Sequence, residues 1–352
     1  MLYSSEKNRM GGLEWTAAKS KKPRPVESLI LGDGAAENIL EDVRAFLDSE
    51  SWFIGKGIPF RRGYLLHGPP GTGKTSTIFT LAGALKLEVY ILSLWGPRMN
   101  DVTLQELVSA IPKYAIVVIE DIDCIFPPGG DRGDFGSLDP HGLPLEENHI
   151  RESRVTLSGL LNVLDGVGSD EGRVLFGTTN RLEALDPALT RPGRFDIKVE
   201  YKLASSIQAK ALFERFFSGT PESPISSSSD GEGTPGPDAK FHRDYLCMAV
   251  EFASAIPDQT FSMAELQGYL LTYHLDPRQA VRDIRMWIEK ELLERDRLEK
   301  LRKTRRQTNF GVHFHPADSP SPAYLRVHDG DAMSSTAFSS TGSNGDLGLL
   351  EQ

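Results

Sequence analysis

The sequence predicts an α/β protein: a parallel sheet flanked by helices, followed by a small helical domain. Two observations carry that prediction. Short apolar runs recur at Tyr64–His67, Val89–Leu94, Ala115–Asp121, Arg173–Asn180 and Ile197–Tyr201, with helical stretches between them. Strands that are apolar throughout, rather than alternating, belong in a parallel sheet covered on both faces. After Leu203 only helical patterning returns.

The elements follow in order. Residues 1–25 are polar and lean basic, with Lys19, Lys21, Lys22 and Arg24 beside two prolines, and read as a solvated arm or linker. Ile39, Leu40, Val43, Phe46 and Leu47 fall at helical spacing and predict one buried stripe. Further helices are expected at Thr75–Leu87, Thr103–Ala110 and Val155–Leu164. Pro127–His149 is rich in Gly and Pro and reads as a mobile insertion. Ser218–Lys240, rich in Ser, Gly and Pro, reads as a disordered one.

Helices resume at Arg243–Ile256 and Ser262–Tyr273, the second opened by a Ser262–Glu265 capping box. Asp276-Pro277 starts a long helix that ends in a basic run to Arg306. From Gln307 the chain turns Ser/Gly-rich and is expected to be disordered.

Composition narrows the function classes. AVILMFWYC residues make up 39% of the 352 residues, enough for a real core. The formal charge of −10 argues against a nucleic-acid binder that works by neutralising phosphates. Cys124 and Cys247 form no metal or redox spacing. No apolar run approaches the roughly 18 residues of a membrane helix.

The chemistry sits in four segments. Gly68-Pro69-Pro70-Gly71-Thr72-Gly73-Lys74-Thr75 matches G-x-x-x-x-G-K-[ST] between a predicted strand and a predicted helix. Glycines let successive N–H groups point at phosphate oxygens, and the helix N-terminus adds positive partial charge. Lys74 would meet the terminal phosphates of ATP, and the Thr75 hydroxyl would bind Mg²⁺. The run Ile116–Ile119 ends in Glu120 and Asp121, acids suited to metal and water beside a P-loop. Asn180 closes the next apolar run, where an amide could orient the attacking water. Arg191 and Arg194, in a Pro/Gly-stiffened loop, could act on a neighbouring subunit's γ-phosphate.

In this order the four segments resemble the AAA family of ring-forming ATPases. The resemblance implies a P-loop ATPase core over 29–203 and a helical lid over 204–306. It makes Asn180 the sensor and Arg191 and Arg194 the arginine fingers. One departure is visible: the family usually ends the second strand Asp-Glu, and this chain has Glu120-Asp121. If roles follow position, Glu120 takes the metal side with Thr75 and Asp121 is the base. Which of the two is the base stays open.

That reversed pair looks like the mitochondrial Bcs-type AAA chaperones. So do Arg61–His67 running into the P-loop, Leu157–Val167, and Leu266-Gln267-Gly268-Tyr269 in the lid. Residues 1–28 would be the remnant of that family's own N-terminal region. The resemblance implies a homo-oligomeric ring acting on a protein client, a Rieske-type iron–sulfur protein, at the mitochondrial inner membrane. Membrane association would come through an N-terminal span that this chain lacks. Trp95-Gly96 is expected to pack at the sheet edge rather than to grip a threaded polypeptide. A nucleotide-binding scaffold without hydrolysis, or a paralogue lacking the anchor, is the alternative.

Overall fold

The computed structural model describes residues 1–7, 13–19, 24–32, 34–96, 99–124, 155–166, 171–217 and 237–310. The chain opens with β1 (Leu2–Lys7) and β2 (Leu13–Lys19), followed by α1 (Ala35–Asp48) and α2 (Glu50–Lys56). Next come β3 (Arg62–His67), α3 (Lys74–Leu85), β4 (Val89–Ile91), α4 (Asp101–Ser109) and β5 (Ile116–Ile119). Then α5 (Leu157–Leu164), β6 (Val174–Thr179) and β7 (Ile197–Glu200) complete the α/β part. Helices α6 (Ser206–Phe217), α7 (Pro237–Ala255), α8 (Met263–Thr272) and α9 (Pro277–Phe310) follow.

The strands form one seven-stranded sheet in the order β2-β1-β4-β5-β6-β3-β7. Every pairing is parallel except the β1–β2 hairpin. Successive residues of a strand point to opposite faces, so an unbroken apolar strand feeds two cores. Tyr64, Leu66, Ile116 and Val118 pack on one face with Ile39 and Val43 of α1 and Ile78 and Leu81 of α3. Leu65, Val117 and Ile119 pack on the other with Leu104 and Leu107 of α4 and Leu160 and Leu164 of α5. The expected stripe on α1 is there, with Leu47 partly buried at its end. The later helices share a third core around Phe213, Phe252, Leu266 and Ile284. α6 had no counterpart in the sequence reading; its Ala209, Leu212, Phe213 and Phe217 turn inward at helical spacing.

Several boundaries and one whole element differ from expectation. Residues 2–7 and 13–19 are not a solvated arm, because there β1 and β2 extend the sheet beyond β4. Tyr3 stacks on Tyr90 with ring centroids 4.6 Å apart, and Trp15 meets the same ring edge-on at 5.1 Å. Tyr3 and Tyr90 both donate to Glu88, and Trp15 Nε1 donates to the Leu107 carbonyl. A hairpin at a sheet edge needs one covered face only, so few apolar residues suffice. Trp95 lies between β4 and α4 and is 52% exposed.

Helix α7 begins at Pro237, inside the stretch read as a disordered insertion. Likewise α9 runs through Gln307 to Phe310, past the expected start of the tail. Insertion 127–149, residues 218–236 and the tail from 311 lie outside the described residues. The Ser262–Glu265 capping box forms, and Asp276 Oδ1 accepts from Gln279 N at the start of α9.

Met1–Leu293 forms one compact unit and Glu294–Gln352 a second. In the second, the end of α9 carries Asp296–Lys300 and Glu299–Lys303 ion pairs at i, i+4 spacing. Among the described residues no helix is long and apolar enough to cross a membrane.

Candidate functional site

The loop from Gly68 to Gly73 leaves the carboxyl end of β3 and enters α3, so it lies at the edge where open parallel sheets bind ligands. Gly68, Gly71 and Gly73 all have positive φ, at 139°, 76° and 101°. Gly68 is the most constrained: a Cβ there would stand 1.9 Å from the Tyr201 carbonyl oxygen. Only glycine satisfies both the dihedral and the contact. At Gly73 a Cβ would meet nothing within 4 Å, so the cradle in front of α3 stays open for a phosphate chain. Thr72 closes the loop by donating to the Pro69 carbonyl at 2.8 Å.

Lys74 Nζ donates to the carbonyls of Gly68 and Pro69 at 2.7 and 2.9 Å and to Asn180 Oδ1 at 2.8 Å. Burial pulls its pKa down, with Asp121 and Asp123 pulling the other way. Thr75 Oγ1 donates to Glu120 Oε1 at 2.9 Å. The hydroxyl and carboxylate expected to share a cation are therefore adjacent across the α3–β5 boundary. A hard divalent ion wants oxygen donors of this kind.

Asp121 sits one residue on, with φ of +48°, a left-handed conformation that aspartate tolerates. Its amide donates to Thr178 Oγ1 at 3.0 Å, which fixes the turn after β5 against β6. Asn180 Nδ2 donates to Asp121 Oδ1 at 3.2 Å, so one amide touches both the lysine and the acid. Asp123, only 2% exposed, accepts from Thr179 Oγ1 at 2.8 Å and Asn180 N at 3.2 Å, with Arg181 Nε at 3.4 Å. This buried acid holds Asn180 in place.

The two arginines part company. Arg194 Nε and Nη2 each lie 2.7 Å from an oxygen of Asp165, and Nη1 donates to the Ala188 carbonyl. The guanidinium beside Asp165 holds that carboxyl below its usual range. Arg194 is 15% exposed in side chain, whereas Arg191 is exposed. The sequence treated them alike; their environments do not.

A cleft of about 610 Å³ opens beside the P-loop. Leu29, Leu31 and Thr80 line one side, and Leu212, Phe216 and Met263 of the later helices line the other. It is of the size and mixed polarity of small-molecule sites. No motif marked Leu29, Leu212, Phe216 and Met263, because they come from distant segments and offer mainly apolar contact. The later helices also touch the P-loop itself: Ala264 N donates to the Gly71 carbonyl at 3.0 Å.

A glycine-rich loop before a helix, an acid pair on one neighbouring strand and an asparagine on the next define a P-loop nucleotide-binding protein. The comparisons narrow this. Residues 64–203 match the ATPase family associated with various cellular activities (AAA). Residues 206–286 match the mitochondrial chaperone BCS1-like ATPase lid domain. The chain belongs to the AAA ATPase family and carries the lid domain of its BCS1-like branch. The probable mitochondrial chaperone BCS1-B of Dictyostelium discoideum is 36% identical over 293 residues, 79% of this chain and 58% of that protein. The mitochondrial chaperone BCS1 of Bos taurus is 37% identical over 275 residues, 77% and 58%. That of Homo sapiens is 37% identical over 273 residues, 77% and 57%. The chain thus spans less than three fifths of the length of these relatives.

Proposed function

We propose that this chain hydrolyses ATP with Mg²⁺ and works as a ring-forming chaperone or translocase on a protein client at the mitochondrial inner membrane. The observation that carries the reading is the continuous contact from Lys74 through Asn180 to Asp121, with Thr75 and Glu120 joined beside it. The open cradle at Gly73 and the oxygen pair of Thr75 and Glu120 suit a phosphate chain and its cation. Bound Mg²⁺ would supply charge neutralisation for the phosphates.

Within that frame each residue has one task. Gly68 to Gly73 present backbone N–H groups, Lys74 places a positive charge at the terminal phosphate, and Asp121 takes the proton of a water that Asn180 orients. Arg191 reaches a neighbouring copy's nucleotide. Arg194 joins it in that role or holds the loop in shape. The domain division is 29–203 for the ATPase core and 204–306 for the lid. The names of the relatives support a mitochondrial chaperone's role, and a client of the Rieske iron–sulfur type remains the specific suggestion of the sequence resemblance.

The test is phosphate release by the purified protein with Mg-ATP. Wild type should turn over and Asp121→Asn should bind ATP without turning it over. Undiminished release by Asp121→Asn would overturn the assignment of the base. No release by wild type, with ATP bound, would favour the non-hydrolysing scaffold.

A further inference from the structure

Leu266-Gln267-Gly268-Tyr269, whose Gln267 also lines the cleft beside the P-loop, contains a glycine in the interior of α8. An interior glycine costs about 0.5–1 kcal/mol relative to alanine. Nothing in the fold asks for it. Its φ is not among the positive ones, and a Cβ there would meet nothing within 4 Å. Gly268 lines a groove of about 300 Å³ between α8 and α9.

The walls of the groove are aromatic. Tyr269 and Tyr273 lie with ring centroids 5.0 Å apart, and Tyr269 and Trp287 4.9 Å apart. Phe261 backs Trp287 at 4.9 Å. The tyrosine hydroxyls are tied down, Tyr269 to the Ala280 carbonyl at 2.6 Å and Tyr273 to Asp283 Oδ2 at 3.1 Å. The rings are therefore held in place, with Tyr269 buried behind Tyr273 and Trp287 along the groove. Glu265 from α8 and Glu291 from α9 line it as well. Glu265 Oε2 already accepts from Ser262 N and Oγ in the capping box, so an ammonium there would share a carboxylate whose two oxygens offer several lone pairs. Aromatic faces and carboxylates share one preference, an organic cation.

We infer that the groove between α8 and α9 binds a lysine side chain of a partner polypeptide, its alkyl stem on the aromatic rings and its ammonium between Glu265 and Glu291. A compact ammonium with rotatable donors can serve carboxylates on two helices better than a planar fork can. A polypeptide rather than a free ammonium compound fits the surroundings: Leu271, three residues from Gly268 on α8, is 56% exposed, and Leu275 beyond it is 75% exposed. These would be covered by the partner's backbone. The net charge of −10 draws a basic partner.

The experiment titrates the full chain, without nucleotide, with Nα-acetyl-lysine methylamide. Trp287→Phe run in parallel isolates the Trp287 fluorescence from that of the other tryptophans. A saturable change is expected, absent with the Nε-acetylated analogue, which keeps the stem and loses the charge. Glu291→Gln should weaken half-saturation about tenfold. Gly268→Ala should do the same while raising Tm, because alanine improves the helix. An equal response to the neutral analogue would overturn the inference, as would unchanged half-saturation in Gly268→Ala or Glu291→Gln, or no saturable change at all. Tetramethylammonium binding as tightly as the lysine amide would overturn the polypeptide source. Because ATP is absent throughout, none of these outcomes bears on hydrolysis.

Discussion

The Asn180 amide oxygen accepts a 2.8 Å hydrogen bond from Lys74 Nζ. The same side chain donates to Asp121, so a phosphate-binding cation and the carboxylate expected to act on water are held by one planar group. Asn180→Ala should lower turnover by about 10²-fold, the typical effect of losing one oriented polar group in a reaction centre. ATP affinity should change by only a few-fold. Single-turnover kinetics and nucleotide binding on the same preparation check both.

The acid pair makes a second prediction. Asp121 occupies a left-handed backbone conformation that asparagine also accepts, so Asp121→Asn should fold with unchanged Tm and lose turnover. Glu120→Gln should instead weaken the dependence of ATP binding on Mg²⁺, because Glu120 partners Thr75. A magnesium titration of nucleotide affinity separates the two roles.

The arginines differ in a way thermal melts can read. Arg194→Ala breaks the paired contact with Asp165, whose side chain is 42% exposed, and should cost about 1 kcal/mol after solvent screening. Arg191→Ala should leave Tm unchanged. Asp165 is held below its ordinary pKa, so the stability it contributes is present at neutral pH. It fades as pH falls below the ordinary aspartate value of about 4. The Tm difference between wild type and Arg194→Ala should therefore shrink at acid pH. In mixed assemblies, Arg191→Ala subunits should lower activity non-linearly with mixing ratio if the finger acts in trans.

Tyr201 carries a fourth prediction. Its hydroxyl is buried behind the P-loop beside Thr77, too poorly aligned with it to make a well-formed hydrogen bond, and burial pushes its pKa up to about 12 while Thr77 pulls the other way. Tyr201→Phe removes an unsatisfied polar group and should stabilise the fold by about 1 kcal/mol. A pKa raised above the ordinary tyrosine value of about 10 means stability lost as pH rises past that value. Tyr201→Phe should thus lose less stability than wild type between pH 10 and pH 12, by chemical denaturation.

Much of this was legible in the residues, and what was not has physical causes. That the P-loop, Glu120, Asp121 and Asn180 meet was legible because the chemistry proposed for them demands particular residue types at strand ends. The parallel sheet was legible because β3 and β5 have two buried faces and so carry unbroken apolar runs. The hairpin was not: Leu13, Trp15 and Ala17 do alternate, but basic neighbours and prolines outweighed so short a pattern. The fates of Arg191 and Arg194 depend on Asp165, which lies 29 residues from Arg194 in the chain, and no spacing rule links them. The cleft lined by Leu29, Phe216 and Met263 exists only once the chain has folded back on itself.

The hydrogen bond from Ala264 N to the Gly71 carbonyl crosses from the first helical turn of α8 to the phosphate loop, and a Cβ on Gly71 would come within 2.9 Å of Ser262 Oγ. Neither segment can open without breaking that link. Amide protons at the start of α8 and around Gly71 should therefore exchange with deuterium at one common rate, as a single opening unit. Whatever slows exchange in the loop will slow it in the helix by the same factor.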